Sequence, residues 1–257
     1  MPQVMLPTAR FEPKVTIITA TLDAAHVLPR LVTCLQAQTD GDFKWIVADG
    51  GSTDGTQELL GHASGLQLHL TQARDFGIYD ALNRAVSLVS DGYYLVVGAD
   101  DALETDAVAN FRCAAQNAGQ PDLVAAGIRQ DGRTIWPRQG LGWLYGMQGV
   151  ASSHSVGLLI KRDLHARFGM YSSKLPIAAD QLFVKTALRQ GATIVRAQFV
   201  AGEFGTGGTS GNDPLGVLTE IFRSQVRTER FVWLQYLIFL LRLLKFFVVR
   251  LLRRADG

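Results

Sequence analysis

Aspartates in this chain recur where apolar runs end, at Asp23, Asp49, Asp75, Asp100 and Asp101. The segments are TATLD (19–23), DGGSTDG (49–55), RDFG (74–77) and GADD (98–101). Any one of these acids reads equally well as a helix cap or a turn residue, as Asp54 does. Several at matching positions read as an acidic edge. Carboxylates repel phosphate unless a divalent cation lies between them, and aspartate is a hard oxygen ligand suited to Mg²⁺ or Mn²⁺. Aspartates and backbone groups also hydrogen-bond a nucleobase or ribose. The edge therefore suits a metal-bound nucleoside diphosphate. The chain has no GxxxxGK[ST], and no GxGxxG follows its first apolar run, which disfavours ATP hydrolysis and dinucleotide binding.

The elements that must carry these residues alternate. KVTIITA (14–20), FKWIVA (43–48), LQLHL (66–70) and YYLVVG (93–98) read as buried strands. Helical periodicity falls between them, over roughly 25–38, from 56, and over 78–89. This alternation predicts an α/β fold with a doubly wound, mostly parallel sheet, whose ligands bind at the carboxyl ends of the strands. Farther on, a helix is expected over 107–117, a hairpin over 122–137 turning at Asp131-Gly132, a helix over 180–190 and a strand over 193–199. The stretch 202–211 holds five glycines in ten residues and reads as a loop or lid.

Charge is distributed unevenly in the 257 residues. The net charge is +2, yet Arg223–Arg254 alone carries +7, which leaves an acidic body and a basic tail. Of the 22 residues from Phe231 to Leu252, 18 are apolar. Gln235, Arg242, Lys245 and Arg253 fall on one stripe at helical spacing. The longest charge-free run is 11 residues, shorter than a spanning helix needs. Residues 213–257 are thus read as a basic amphipathic helical segment following a 1–212 body. It would lie in a membrane interface through 231–254, with Arg242, Lys245 and Arg253 toward the headgroups. Packing on the body or on a second copy of the chain is the alternative. The N-terminus has no apolar core of the kind a secretory leader carries. Cys34 and Cys113 are too far apart to suggest a zinc site or a disulfide framework. No nucleic-acid partner is expected.

VTIITATLDAAHVL, VADGGSTDGT, RDFGIYDALNRAV, GADDAL, SSHSVGLLIKRDLHARFGMY and AADQLFVKTALRQG resemble, in order, the family-2 glycosyltransferases. Within that family they are similar to the exopolysaccharide and colanic-acid-type enzymes of bacteria. The resemblance implies a GT-A fold and transfer from a nucleotide sugar, UDP-linked before GDP-linked. It implies that Thr21, Asp23 and Asp49 line the base and ribose pocket, and that Asp75 and Gly77 close its other side. Asp100 and Asp101 stand at the family's DxD position as metal contacts, and Asp180 stands as the catalytic base, its alternative being a helix N-cap. His154 would reach the metal, the diphosphate or the acceptor, or else be a structural histidine. Gly207, Gly208 and Ser210 would order over the diphosphate. Two positions depart from the pattern: Gly98 replaces the first aspartate of DxD, and Asp23 stands where many members have asparagine. The processive QxxRW motif is absent, which implies transfer of a single sugar. A lipid-diphosphate-linked glycan acceptor, met at the cytoplasmic face of a bacterial inner membrane, completes the expectation. A sugar nucleotidyltransferase and a non-catalytic membrane-associated binding protein of the same fold are the rivals. The first would carry a Gly-rich basic loop after the first strand, where this chain has TLDAAHVLPR.

Overall fold

A computed structural model describes residues 12–152, 154–205 and 213–255. Strands and helices alternate through β1 (Val15–Thr21), α1 (Leu28–Gln36), β2 (Phe43–Asp49), α2 (Thr56–Gly61), β3 (Gln67–Gln72), α3 (Ile78–Leu88) and β4 (Tyr93–Val96). There follow β5 (Ala102–Leu103), α4 (Ala107–Asn117), β6 (Leu123–Gln130), β7 (Arg133–Ile135), α5 (Gly142–Tyr145), β8 (Leu158–Lys161), α6 (Leu164–Phe168) and α7 (Ala179–Arg189). The chain then runs through β9 (Ile194–Glu203), α8 (Pro214–Thr228) and α9 (Val232–Ala255).

The strands form one mixed sheet in the order β3-β2-β1-β4-β8-β6-β9-β5, with β7 paired to β6. The first four strands of that order are mutually parallel, and β9 runs parallel to β6. β8 lies antiparallel between β4 and β6. The register sets Thr21 directly across from Asp49. Successive residues of β1 and β2 feed opposite faces, as the period of a strand requires. Ile17, Trp45 and Leu95 pack with α1 and α4, while Ile18, Ile46 and Tyr94 pack with α3 and α7. Each buried Ile or Leu among them contributes about 1.5–3 kcal/mol. This two-sided core holds the carboxyl ends of the strands in place.

α8 is built into the body. Pro214 opens it, and Asp213 accepts a hydrogen bond from Gly216 N–H at 2.8 Å, the N-cap contact that starts a helix. Its Glu220 accepts from Ile177 and Ala178 N–H, both at 2.8 Å, and so fixes the turn that leads into α7. Buried Lys185 of α7 donates to Glu229, at 2.7 Å, and to Gln225. On α9 the polar stripe does not simply face outward. Gln235 is buried and donates to Trp143 O at 3.0 Å, and Arg242 donates to Leu144 O. The expectation that Arg242 turns toward headgroups is therefore corrected. An unpaired backbone carbonyl is costly to leave without a donor, and the body offers two beside the helix. Lys245 is exposed, and the Arg253 side chain lies outside the described residues. Much of the rest of the described surface of α9 is apolar and open, with Trp233 at 68%, Leu240 at 61% and Leu244 at 63% exposure, while Ile238 is buried and Phe239 stacks on Phe222. Val232–Val249 is long and apolar enough, by length and composition, to cross a membrane.

Candidate active site

Two groups of residues meet the carboxyl ends of β1 to β4. The first surrounds Gly50. Thr21 Oγ1 donates to Asp49 Oδ1 at 3.0 Å, and Asp49 Oδ2 accepts from Gly51 N–H, Ser52 N–H and Gln57 Nε2 at 2.8–3.1 Å. Burial pushes the Asp49 carboxyl up, but the Ser52, Gln57 and Thr21 donors outweigh it and hold the group below the ordinary carboxylate range. Asp23, at φ 49°, accepts from Thr53 N–H at 2.9 Å, and its own N–H donates to Ser52 Oγ at 2.9 Å. Asp54 accepts from Thr56 N–H and Ala25 N–H, so it ties the two loops together as well as opening α2. Asp75 is paired with Arg84, which also donates to Asp49 O at 2.9 Å. An added Cβ on Gly50 would lie 3.3 Å from Asp75 Oδ2 and 3.5 Å from Thr21 O. Thr21, Asp49 and Asp75 thus converge on one glycine, with Asp23 on the adjoining loop. Gly77, at φ 117°, precedes α3 in a conformation that favours glycine.

The second group lines a cavity of about 450 Å³, which Asp100, Asp101, His154 and Asp180 all reach. Asp101 is fully buried, and its two oxygens accept from Gly98 N–H at 2.7 Å and Gly205 N–H at 2.8 Å. Burial pushes its carboxyl up. Its two oxygens are committed to backbone, and Asp100 lines the same cavity beside it. The glycine at 98 has a local reason: a Cβ there would sit 3.0 Å from both Asp100 Oδ1 and Asp101 Oδ2. A full DxD side chain would crowd two carboxylates. His154 packs on Phe204 with tilted rings whose centroids are 3.9 Å apart, and its Nδ1 accepts from Val156 N–H at 3.4 Å. Its electrostatic influence favours the ionised forms of both Asp101 and Asp180.

Asp180 is the second residue of α7, one position inside the helix rather than at its N-cap, which is Ala178. Oδ1 accepts from the Tyr79 hydroxyl at 2.7 Å and from Gln181 N–H at 2.8 Å. Burial pushes the carboxyl above the ordinary range, which makes it a better proton acceptor. The rest of the lining is largely apolar, including Ile78, Met147, Pro176, Ile177, Val217 and Ile221. Lys and Arg are absent from the described lining. Gly207, Gly208 and Ser210 lie outside the described residues.

The residues present fit a divalent cation in one way only. Among the described residues no three His, Cys, Asp or Glu side chains form a cluster that could hold a metal by themselves. Mg²⁺ and Mn²⁺ need only one or two carboxylates when substrate phosphates supply the remaining oxygens, and Asp100 beside the cavity meets that requirement. Sequence reasoning missed the supports of the site. Tyr79 reads as core, Arg84 stands nine residues from its partner Asp75, and Glu220 reaches Ile177 from 43 residues away. No periodicity marks such pairs.

The sequence profile described as "Glycosyl transferase family 2" matches residues 16–161. The chain is 29% identical over 196 residues to the PGL/p-HBAD biosynthesis glycosyltransferases of Mycobacterium tuberculosis and Mycobacterium bovis, covering 73% of this chain and 75% of theirs. S. aureus TarS 1-349 in complex with UDP-GlcNAc superposes with a TM-score of 0.63 at 17% identity, over 88% of this chain and 70% of that one. The mannosyltransferase PcManGT from Pyrobaculum calidifontis, in complex with GDP-Man and Mn2+, gives 0.65 at 19% identity, over 86% of this chain and 66% of that one. These structures share the mostly parallel curled sheet of the GT-A fold.

Proposed function

The chain belongs to glycosyl transferase family 2, and from that premise we propose that it is an inverting glycosyltransferase moving one sugar from a nucleotide-sugar donor to an acceptor hydroxyl held at Asp180. The observation that carries this reading is one cavity holding both Asp100 and a half-buried Asp180 of raised basicity. The donor diphosphate lies toward Asp100, and the nucleoside lies toward Thr21, Asp23, Asp49, Asp75 and Gly77. The acceptor oxygen attacks the anomeric carbon as its proton passes to Asp180, and the bond to the diphosphate breaks on the opposite face. One base facing one leaving group inverts the centre. Mg²⁺ or Mn²⁺ held between Asp100 and the diphosphate would neutralise the charge that grows there. UDP-GlcNAc in one neighbour and GDP-Man with Mn2+ in another support a nucleotide-sugar donor.

The acceptor is a lipid-linked glycan. Supporting this are the largely apolar described lining around Asp180 and the link from Tyr145, at the cavity, through Trp143 and Leu144 to α9. The open apolar face of α9 would rest on the cytoplasmic face of a bacterial inner membrane, and surface polysaccharide assembly is the setting that this combination suits. A nucleotidyltransferase is disfavoured by the loop after β1, and a pure binding protein by the half-buried Asp180 of raised basicity.

A thermal-shift panel of nucleotide sugars with Mn²⁺ tests the donor. A ligand at 100 times its Kd stabilises by about 2.7 kcal/mol, which is about 5–11 °C for a chain of this size. A UDP-sugar should give such a shift only with metal present. A panel in which no nucleotide sugar raises Tm, with or without Mn²⁺, overturns the reading.

A further inference from the structure

One polar group beside the proposed base has no assigned task, the hydroxyl of Tyr79. It lies 2.7 Å from Asp180 Oδ1 and 3.0 Å from Ile177 O. A phenol has one proton, so it cannot donate to both. An ionised carboxylate is the stronger acceptor and takes it. Both hydrogen bonds to the Asp180 side chain fall on Oδ1, which leaves Oδ2 for a substrate proton.

The neighbouring Tyr171 is committed elsewhere. His165 Nδ1–H donates to Gly169 O at 3.0 Å, so Nε2 accepts from the Tyr94 hydroxyl at 2.6 Å. Tyr171 in turn donates to Tyr94 at 2.7 Å. Burial holds His165 neutral, with its pKa lowered to about 4, and this fixes the direction of the chain away from Asp180. The Tyr171 ring packs against Tyr79 at 5.5 Å and keeps that phenol in place. The groups facing Asp180 are therefore Tyr79 from α3, His154 from across the cavity, Tyr171 from the loop after α6, and Gln181 N–H from its own helix. Glu220 of α8 is spent on the Ile177 and Ala178 amides.

We propose that Tyr79 is a positioning residue for the transfer: its hydroxyl clamps Oδ1 so that Oδ2 receives the acceptor's proton, and its own proton then turns to Ile177 O. This rests on Asp180 being the base. In the step, the acceptor oxygen bonds to the anomeric carbon and the carbon–oxygen bond to the diphosphate breaks, its electron pair leaving on the diphosphate. The hydroxyl proton goes to Oδ2. Oδ1 is then a neutral carbonyl oxygen and a weaker acceptor, and Ile177 O is ready for the phenol. The buried hydroxyl thus keeps an acceptor in both states, and no orphaned group opposes the proton transfer.

The test uses full-length protein with ¹³C-labelled aspartate. The Asp180 γ-carbon, assigned by its loss in Asp180→Asn, is titrated by NMR, and hydrolysis of UDP-GlcNAc and GDP-mannose is followed beside it. Tyr79→Phe keeps the ring and removes the donor. It should raise the Asp180 titration, and the acid limb of hydrolysis, by about one to two pH units. KM for the sugar nucleotide should stay within about twofold while kcat falls roughly tenfold or more. 3-Fluorotyrosine at position 79, a stronger donor, should move the titration the other way. An Asp180 carboxyl that titrates at the wild-type pH in both variants overturns the clamp. Wild-type hydrolysis by Asp180→Asn would instead remove the base itself, a different result.

Discussion

Asp101→Asn separates a structural carboxylate from a metal ligand. In the wild type Oδ2 accepts from Gly98 N–H and Oδ1 from Gly205 N–H, and the residue is fully buried. An asparagine has one oxygen, so whichever way it turns, one of those N–H groups faces an NH₂. The loss is one hydrogen bond to a charged acceptor, about 1.5–3 kcal/mol, together with an unsatisfied buried donor at about 1–3 kcal/mol. Relief from burying a charge, visible as the raised Asp101 carboxyl, offsets part of this. The net cost should be about 2–4 kcal/mol, which lowers Tm by about 4–16 °C. Urea denaturation monitored by circular dichroism, with EDTA and again with Mn²⁺, measures it. The same loss should appear in both conditions. Asp100→Asn should abolish the Mn²⁺-dependent donor shift. If Asp101→Asn is as stable as wild type and Mn²⁺ affinity is what disappears, the division of labour argued for this pair is wrong.

His165 predicts an acid-linked loss of stability. Its folded pKa, about 4, lies below the unfolded value near 6.5 because burial disfavours the charged ring. The stability of the neutral ring is therefore complete above pH 6.5 and is lost as pH falls toward 4, by about 3 kcal/mol. His165→Gln, which does not titrate, should lose correspondingly less between pH 7 and 4 in urea titrations. On α9, deletion of 231–257 should release the protein from anionic vesicles in co-sedimentation while donor binding persists, since the nucleotide edge lies within residues 19–101. Arg242→Gln should leave vesicle binding within about twofold and instead raise amide exchange in α9, because Arg242 donates to Leu144 O. A full-length chain that stays in the supernatant, and whose oligomeric mass falls on deletion, would make the helix a subunit interface.

Much of the fold was legible because its signals are local. Continuous β-branched and apolar runs mark β1, β2 and β4, the Asp131-Gly132 turn marks the β6–β7 hairpin, and helical spacing marks α4 to the residue. β8 was not legible. Leu158–Lys161 is four residues long, too short for periodicity to separate strand from helix, and its antiparallel place between β4 and β6 is fixed by long-range pairing. The 202–211 stretch was read as loop throughout, yet Gly202 and Glu203 close β9, because Gly202 pairs with Leu103 where a Cβ would lie 2.2 Å from Ala102 O. The acidic edge was legible as composition but not as bonding. Asp49, Asp75 and Asp101 are each drawn into hydrogen bonds or an ion pair that spacing alone does not announce. The stripe on α9 was legible, but not its partner, because the Trp143 and Leu144 carbonyls that receive Gln235 and Arg242 lie more than 90 residues away.

Asp180→Asn tests the central claim most directly. The variant keeps an oxygen for the Tyr79 and Gln181 donors and removes a charge that burial penalises, so Tm should be unchanged or higher. The measurement is single-turnover release of the nucleoside diphosphate from the nucleotide sugar that the thermal-shift panel selects, at saturating donor and Mn²⁺. The account predicts a fall of at least ~10² in rate with donor affinity within about twofold. Wild-type turnover, or a lower Tm with the rate per folded molecule unchanged, would contradict it and return Asp180 to a purely structural role at the start of α7.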